Sequence, residues 1–163
     1  MSQFQYEAEL LVQALSAKGA TLSTAESCTG GLIAKLITDV AGSSQVLLGG
    51  FVTYTNEVKT RLLGVDPAIL ARDTEVSHAC AKAMAAGARE RLGATLAVSL
   101  TGFAGPTGGT DADPVGTVYI GVASPCGVVS ERFQAPDPFS RERVREAAAK
   151  RALELLYREG ELL

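Results

Sequence analysis

The sequence predicts an α/β fold: a three-layer α/β/α sandwich around a mixed, largely parallel sheet. Strand-like and helix-like segments alternate along most of the chain, as in a parallel sheet covered by helices. Two of the apolar strand segments end in polar clusters that open a helix. One late pair of strands is separated by a short turn, which is typical of an antiparallel hairpin. The 163 residues suit one domain, so we expect a single unit over residues 1–163.

The first half of the chain is predicted to alternate between helices and strands. Gly19 and Gly64 each follow a segment with helical spacing of apolar residues, as expected at helix ends. Asp66 and Pro67 supply a cap and a first-turn proline for a further short helix. The helices are expected at 4–17, 32–40 and 55–63, and the strands at 20–24 and 46–54.

The second half is predicted to begin with a long alanine-rich helix. Ser77 is positioned to cap its start and Gly93 to end it, after Leu92. The hairpin turn is expected at Pro125, Cys126 and Gly127, because these residues separate two strand segments. The remaining strands are expected at 95–100, 115–123 and 128–133, the glycine-rich loop at 101–113 and the last helix at 139–159.

Charge and hydropathy argue against nucleic-acid and membrane partners. Lys plus Arg is 15 and Asp plus Glu is 18, for a net charge of −3, so the surface lacks the positive field of a nucleic-acid binder. The uncharged stretch 92–110 is long enough to span a bilayer. Its five glycines and one proline favour a buried strand and a loop instead.

The rare residues limit the chemistry and suggest the compartment. One histidine excludes a multi-histidine metal site, and His78 is interpreted as an exposed first-turn residue rather than a base. Glu7 and Glu9 within the first apolar stretch indicate a helix and not a signal peptide. Three cysteines without C-x-x-C spacing then predict reduced thiols in a cytoplasmic protein. Cys80 and Cys126 are expected in the core or a turn.

The segment TAESCTGG, residues 24–31, places reactive side chains between a strand and a helix. Helix N-terminal N–H groups favour an anion or a developing oxyanion there. Ser27 is one candidate nucleophile and Cys28 is its rival, because a helix N-terminus also favours a thiolate. The alternative interpretation is that the segment only caps the helix and that its glycines relieve crowding in the turn.

Two further segments follow strands. Tyr54 and Lys59 lie in TYTNEVK, and Lys59 is the one of five lysines predicted close to the carboxyl end of a strand. The alternative interpretation is that Lys59 is an ordinary surface lysine. The loop TGFAGPTGGT, residues 101–110, matches neither common phosphate-binding motif. Its four glycines can still direct several backbone N–H groups at one anion, although a flexible loop has a similar composition.

These segments together resemble the C-terminal domain of the CinA (competence/damage-inducible protein) family. The resemblance rests on TAESCTGG, GFVTYTNEVK, TGFAGPTGG and PVGTV, in that order and spacing, and extends over nearly the whole chain. It implies a stand-alone nicotinamide-nucleotide amidase, which hydrolyses nicotinamide mononucleotide (NMN) to nicotinate mononucleotide and ammonia. It also implies a small-molecule nucleotide substrate, with no metal or organic cofactor.

The resemblance implies a serine–lysine mechanism, with Ser27 as nucleophile, Lys59 as its base and Tyr54 as an orienting or relaying group. Backbone N–H groups of residues 28–30 would hold the oxyanion, and the loop 101–109 would receive the phosphate or ribose. The residues expected to bind the oxyanion or the substrate are Glu26, Cys28, Thr29, Gly30, Gly31, Thr101, Gly102, Gly105, Gly108, Gly109 and Arg141.

Two positions depart from the family's pattern. Asp113 stands where members often have Lys, and Phe139-Ser140 precedes Arg141 where many have Gly-Asp. A non-catalytic nucleotide-binding module of the same family is therefore the alternative function. Self-association, as a dimer, is a further expectation from the small residues Ala79, Ala83, Ala86 and Gly87, which could equally pack on the sheet.

Overall fold

The computed structural model describes residues 3–136 and 140–163. In chain order it contains α1 (Gln3–Ala17), β1 (Leu22–Glu26), α2 (Leu32–Thr38), a short 3-10 turn (Ser43–Gln45), β2 (Leu47–Val52), α3 (Asn56–Leu63), α4 (Pro67–Asp73), α5 (His78–Leu92), β3 (Leu96–Gly102), β4 (Thr117–Ser124), β5 (Gly127–Gln134) and α6 (Arg141–Glu161).

The strands form one mixed sheet in the order β2-β1-β3-β4-β5. β1 pairs in parallel with β2 and β3, whereas β4 pairs antiparallel with β3 and β5. The predicted hairpin is therefore present, and it adds to one side of a parallel three-stranded unit. The carboxyl ends of β1, β2 and β3 consequently meet at one edge of the sheet.

Helices cover both faces of this sheet, which confirms the predicted α/β/α sandwich. α6 lies on β3 and β4 with α1 and α2 beside it, whereas α5 crosses the other face with α3 and α4 beside it. Each face has its own apolar core. One contains Leu11, Ile37, Leu100 and Ile120, and the other contains Ala25, Met84, Ala88 and Ala97.

The alanine-rich helix α5 packs very closely on the sheet. A Cβ at Gly121 of β4 would lie 2.5 Å from the Ala81 carbonyl oxygen, so only glycine fits there. The buried face of α5 includes Cys80, Met84 and Gly87, whereas Ala79, Ala83 and Ala86 are half-buried. Of the four small residues considered for self-association, Gly87 is therefore buried within the protein and does not contribute to an exposed surface. The dimer stays a prediction.

The boundaries differ from the predicted ones at several strand ends: β1 begins at Leu22 rather than 20, β2 ends at Val52 rather than 54, and β4 begins at Thr117 rather than 115. β1 runs two residues further than expected, to Glu26, and β3 runs to Gly102, because neighbouring strands continue to pair with them there. The last helix has Ser140 as its cap; the predicted start at residue 139 lies outside the described residues. Among the described residues, no helix combines the length and the apolar character that crossing a membrane requires.

Thr74, between α4 and α5, has a backbone conformation that favours glycine. Its φ of 68° and ψ of 173° lie in a region that β-branched residues almost never occupy, at a cost of about 1–3 kcal/mol. Glycine would relieve this strain and lose about 0.5–1 kcal/mol through unfolded-state entropy. We expect Thr74→Gly to raise the free energy of unfolding by about 1 kcal/mol in urea titrations. Thr74→Ala, which keeps Cβ, is the matched control and should give no such gain; equal changes in both variants would contradict the strain argument.

Candidate active site

The sheet edge at the carboxyl ends of β1, β2 and β3 carries the predicted reactive residues. Ser27 directly follows β1, and its N–H donates to the Leu100 carbonyl of β3 at 3.0 Å. Thr53 directly follows β2, and its N–H donates to the Glu26 carbonyl at 2.8 Å. These bonds extend the sheet by one residue on each strand. The backbone of Ser27 is thereby held between its two neighbours.

Lys59 is brought to Ser27 by the start of α3. The Thr55 hydroxyl caps this helix by accepting from the Val58 N–H, so Lys59 falls in the first turn, and side chains of a helix lean toward its N-terminus. Lys59 Nζ lies 3.0 Å from Ser27 Oγ and donates at 2.9 Å to the Thr53 carbonyl. The structure thus joins two residues 32 positions apart.

Burial makes Lys59 an unusual lysine. Its side chain is 1% exposed, and this desolvation lowers its pKa, although the thiol of Cys80 and the carboxylate of Glu75 act in the opposite direction. A neutral amine within hydrogen-bonding distance of a hydroxyl can accept its proton. The pair therefore has the geometry and the electrostatics of a nucleophile with its base.

The rival nucleophile Cys28 lies in an unfavourable environment. Its side chain is 7% exposed, and burial raises the pKa of its thiol to about 12, with the neighbouring Glu26 carboxylate acting in the same direction. The thiolate, which is the reactive form, is therefore disfavoured near neutral pH. The favourable effect expected from the nearby helix N-terminus is outweighed by desolvation.

The Glu26 carboxylate accepts hydrogen bonds from the start of α2, and these contacts do not support the prediction that it binds a substrate or an oxyanion. It accepts from the N–H groups of Ile33 at 2.9 Å and Ala34 at 3.2 Å, and it is 1% exposed. This carboxylate occupies the helix N-terminus that the sequence suggested for an anion. Glu26 therefore fixes the orientation of α2 relative to β1.

The glycines of this turn serve its backbone geometry. The Gly30 N–H donates to the Ser27 carbonyl at 3.1 Å, so it is already used inside the turn. Gly31 has a φ of 103° and precedes α2, a conformation that favours glycine. Thr29 is buried, and its carbonyl accepts from Arg145 of α6 at 2.8 Å. Of the predicted oxyanion donors, the N–H groups of Cys28 and Thr29 remain the candidates.

A cavity of about 420 Å³ opens in front of Ser27 and Lys59. Eight of the predicted site residues line it: Ser27, Cys28, Tyr54, Lys59, Thr101, Gly102, Gly105 and Arg141. The residues of the prediction that do not line it are Glu26, Thr29, Gly30, Gly31, Gly108 and Gly109. Phe103, Ala104 and Thr107 also line it and belong to the loop 101–109, which was predicted to bind the substrate as a whole. Sequence reasoning missed four further lining residues, namely Thr55, Asn56, Glu75 and Val76. No motif marked Glu75 and Val76, which reach the cavity from the connection between α4 and α5.

Arg141 connects two walls of this cavity. Its guanidinium donates to the Gly105 carbonyl at 2.8 Å and to the Tyr54 hydroxyl at 2.9 Å. Tyr54 is thus a partner of Arg141, whereas Lys59 donates to Ser27 and Thr53. The predicted relay from Tyr54 to Lys59 has no direct hydrogen bond to support it.

Asp113 anchors the glycine-rich loop. Its carboxylate accepts from the Tyr119 hydroxyl at 3.0 Å and 3.1 Å, and pairs with Arg132 of β5 at 2.9 Å. Its N–H also donates to the Thr110 hydroxyl. The acidic residue at this position therefore ties the end of the loop to the hairpin.

His78 is exposed and stands at the start of α5, as predicted. Its ring lies edge-on to that of Tyr119, and its Nδ1 is 2.7 Å from the Ser130 hydroxyl. It belongs to the same anchoring region as Asp113 and does not line the cavity.

The chain is similar to several known proteins. The CinA C-terminal domain model matches residues 5–159. A CinA-like protein of Myxococcus xanthus is 48% identical over 149 residues, which cover 91% of this chain and 35% of that protein. A CinA-like protein of Geobacter sulfurreducens is 54% identical over 143 residues, covering 86% of this chain and 34% of that one. The chain therefore spans about a third of the length of these curated relatives.

Solved structures match over nearly the whole chain. The competence/damage inducible protein CihA of Agrobacterium tumefaciens is 40% identical with a TM-score of 0.91, covering 96% of this chain and 94% of its own. A CinA superfamily protein of Klebsiella pneumoniae is 31% identical with a TM-score of 0.94, covering 99% of this chain and 100% of its own.

Proposed function

This chain belongs to the CinA C-terminal domain family, and we propose that it is an amidohydrolase, a nicotinamide-nucleotide amidase that converts NMN to nicotinate mononucleotide and ammonia. The observation that carries the proposal is the contact between Lys59 Nζ and Ser27 Oγ at 3.0 Å, beside a cavity of about 420 Å³. An amide is a poor electrophile, so its hydrolysis needs an activated nucleophile, oxyanion donors and a proton for the leaving group.

In the first half of the reaction, neutral Lys59 accepts the proton of Ser27 while Ser27 Oγ bonds to the carboxamide carbon. The carbonyl electrons move to oxygen, and the N–H groups of Cys28 and Thr29 stabilise the resulting oxyanion. When the oxyanion collapses, the carbon–nitrogen bond breaks, and protonated Lys59 gives its proton to the departing nitrogen. Ammonia leaves, and the nicotinoyl group remains as an ester on Ser27.

In the second half, water replaces ammonia. Lys59, neutral again, accepts a proton from water as the water oxygen bonds to the ester carbon. Collapse of this second oxyanion breaks the bond to Ser27 Oγ, which regains its proton from Lys59. Nicotinate mononucleotide is released, and the enzyme returns to its starting state. The residues of this chain supply each proton transfer, so the mechanism uses no metal or organic cofactor.

The nucleotide part of the substrate is assigned to the part of the cavity that Arg141 and the glycine-rich loop line. Arg141 is exposed there and lies against Gly105 and Tyr54, and a guanidinium forms strong bidentate hydrogen bonds with a phosphate. Thr101, Gly102 and Thr107 line the same cavity. Gly108 and Gly109 do not line it, and we assign them to the shape of the loop.

The proposal is tested by incubating the purified protein with NMN and measuring ammonia and nicotinate mononucleotide over time. We expect stoichiometric appearance of both products without an added cofactor. The alternative, a non-catalytic nucleotide-binding module, predicts that NMN raises the melting temperature while no ammonia appears. That outcome would contradict the amidase proposal.

A further inference from the structure

Glu75 lies in the cavity, and the proposed mechanism gives it no role. It belongs to the connection between α4 and α5, is half-buried, and lines the same cavity as Ser27 and Lys59. Among the described residues that line this cavity, it is the single carboxylate, beside the buried amine of Lys59 and the guanidinium of Arg141. A carboxylate repels a substrate phosphate, because both are negatively charged. Glu75 therefore suits a positively charged part of a ligand.

The backbone holds Glu75 firmly at this place. The Thr101 hydroxyl, at the end of β3, donates to the Glu75 carbonyl at 2.7 Å. On the other side, the Ser77 hydroxyl donates to the Thr74 carbonyl at 3.0 Å, and Thr74 has the strained φ of 68°. The connection is therefore fixed between the cap of α5 and the sheet edge, in a conformation that costs free energy to maintain.

An aromatic ring lines the cavity together with Glu75. Phe103 is half-buried and packs against the small apolar cluster of Val76, Ala81 and Tyr119. A Cβ at Gly108 would lie 3.4 Å from its ring. The ring is thus held between the core and the glycine-rich loop. A carboxylate and an aromatic face are the two groups with which proteins bind flat organic cations.

We propose that Glu75, with Phe103, selects substrates whose carboxamide-bearing ring carries a positive charge. This inference rests on the proposed function, since the ring nitrogen of NMN is quaternary and its pyridinium ring is a cation. Free nicotinamide has the same carboxamide on an uncharged ring. Glu75 is therefore assigned as a specificity-determining residue that distinguishes N-substituted pyridinium carboxamides from neutral ones.

The assignment agrees with the electrostatics at Lys59. A cationic ring bound beside Lys59 favours its neutral form, which is the form that accepts the Ser27 proton. The Glu75 carboxylate acts in the opposite direction on the pKa of Lys59. Glu75 is consequently better explained by the charge of a ligand than by activation of the lysine.

The test compares NMN with its reduced form, whose dihydropyridine ring has the same carboxamide, ribose and phosphate but no ring charge. Binding is measured by calorimetry in the Ser27→Ala protein, so that no turnover occurs. We expect Glu75→Gln to weaken NMN binding about tenfold, the change that corresponds to about 1.4 kcal/mol. Binding of reduced NMN should change by less than about twofold, because only the charged ring loses a partner. Glu90→Gln, an exposed change on α5, is the control and should leave both affinities unchanged.

Equal weakening of both ligands, or of neither, would overturn the role of Glu75. A second comparison needs no change at residue 75: the Ser27→Ala protein should bind the N-methylnicotinamide cation more tightly than nicotinamide. Equal affinities there would also overturn it. Ammonia release by the unmodified protein tests the amidase proposal separately. If ammonia is released but Glu75→Gln weakens NMN and reduced NMN equally, only the role of Glu75 is rejected. If Glu75→Gln weakens NMN selectively but no ammonia is released, only the amidase proposal is rejected.

Discussion

Replacing Ser27 with alanine is expected to reduce ammonia release from NMN by at least about 10⁴-fold, because no acyl ester can then form. The fold should be preserved, since the backbone bonds that place this residue, such as the donation of its N–H to Leu100, do not involve the hydroxyl. The measurement is steady-state kcat/KM for NMN with purified protein, accompanied by a thermal melt.

Ser23→Ala is the matched control for this change. Ser23 lies on β1, the strand that leads into Ser27, is fully buried, and its hydroxyl has no partner among the described residues, so its removal should leave kcat/KM unchanged. Activity of a folded Ser27→Ala protein close to that of the unmodified enzyme would reject the serine mechanism. If Cys28→Ala abolished turnover instead, the nucleophile would be Cys28, against the raised pKa of its thiol.

Replacing Lys59 with methionine is expected to lower kcat/KM for NMN by about 10²- to 10⁴-fold, the usual contribution of a positioned general base. Methionine is similar in length and apolar, so it can occupy the buried site of Lys59 without a charge. In the unmodified enzyme, activity should rise with pH as Lys59 loses its proton, and this rise should lie below the ordinary lysine pKa of about 10.4. The measurement is the pH profile of kcat/KM for both proteins.

The exposed lysine of α5, Lys82, provides the matched control, and Lys82→Met should keep the profile of the unmodified enzyme. A Lys59→Met protein with an unchanged pH profile and rate would remove Lys59 as the base. A rate that is lowered with the same pH dependence would indicate that another group provides the proton transfer.

The same substitution has a consequence for stability. Burial lowers the pKa of Lys59 in the folded protein, so the unfolded chain binds more protons than the folded one between this pKa and about 10.4. The free energy of unfolding therefore rises with pH within that window. Lys59→Met lacks this group, and the difference in unfolding free energy between the two proteins should change with pH in urea titrations at pH 7, 8 and 9. A constant difference would mean that the lysine pKa is not lowered.

Much of the fold could be predicted because it depends on local patterns. The helix ends at Gly64 and Gly93 and the caps at Asp66 and Ser77 are properties of short segments, and the structure has them where they were predicted. The hairpin was predicted from its turn. The extra residues of β1 and β3 could not be predicted, because neighbouring strands and not local propensity decide where a strand of this sheet stops.

The site divides in the same way. Ser27 and Lys59 could be named as candidates from the sequence because both follow strands, and parallel strands bring their carboxyl ends to one edge. Their assignment as nucleophile and base came from the resemblance to the CinA C-terminal domain. The contacts of Glu26 could not be predicted, because its partners are N–H groups seven and eight residues further along the chain. The contacts of Asp113 could not be predicted from local sequence, because its pairing with Arg132 and Tyr119 depends on the hairpin folding back beside the loop.

The sequence by itself therefore determined the order of elements and the sheet edge that carries the site, and its resemblance to the CinA C-terminal domain supplied the pair of residues proposed to perform the chemistry. The tertiary structure alone decided which groups are buried, and burial controls protonation. It lowers the pKa of Lys59, which favours proton transfer from Ser27, and it raises the pKa of the Cys28 thiol. Burial therefore favours Ser27 over its neighbour Cys28 as the nucleophile. It also brought Glu75 into the cavity, since that position depends on how the connection before α5 packs against the end of β3.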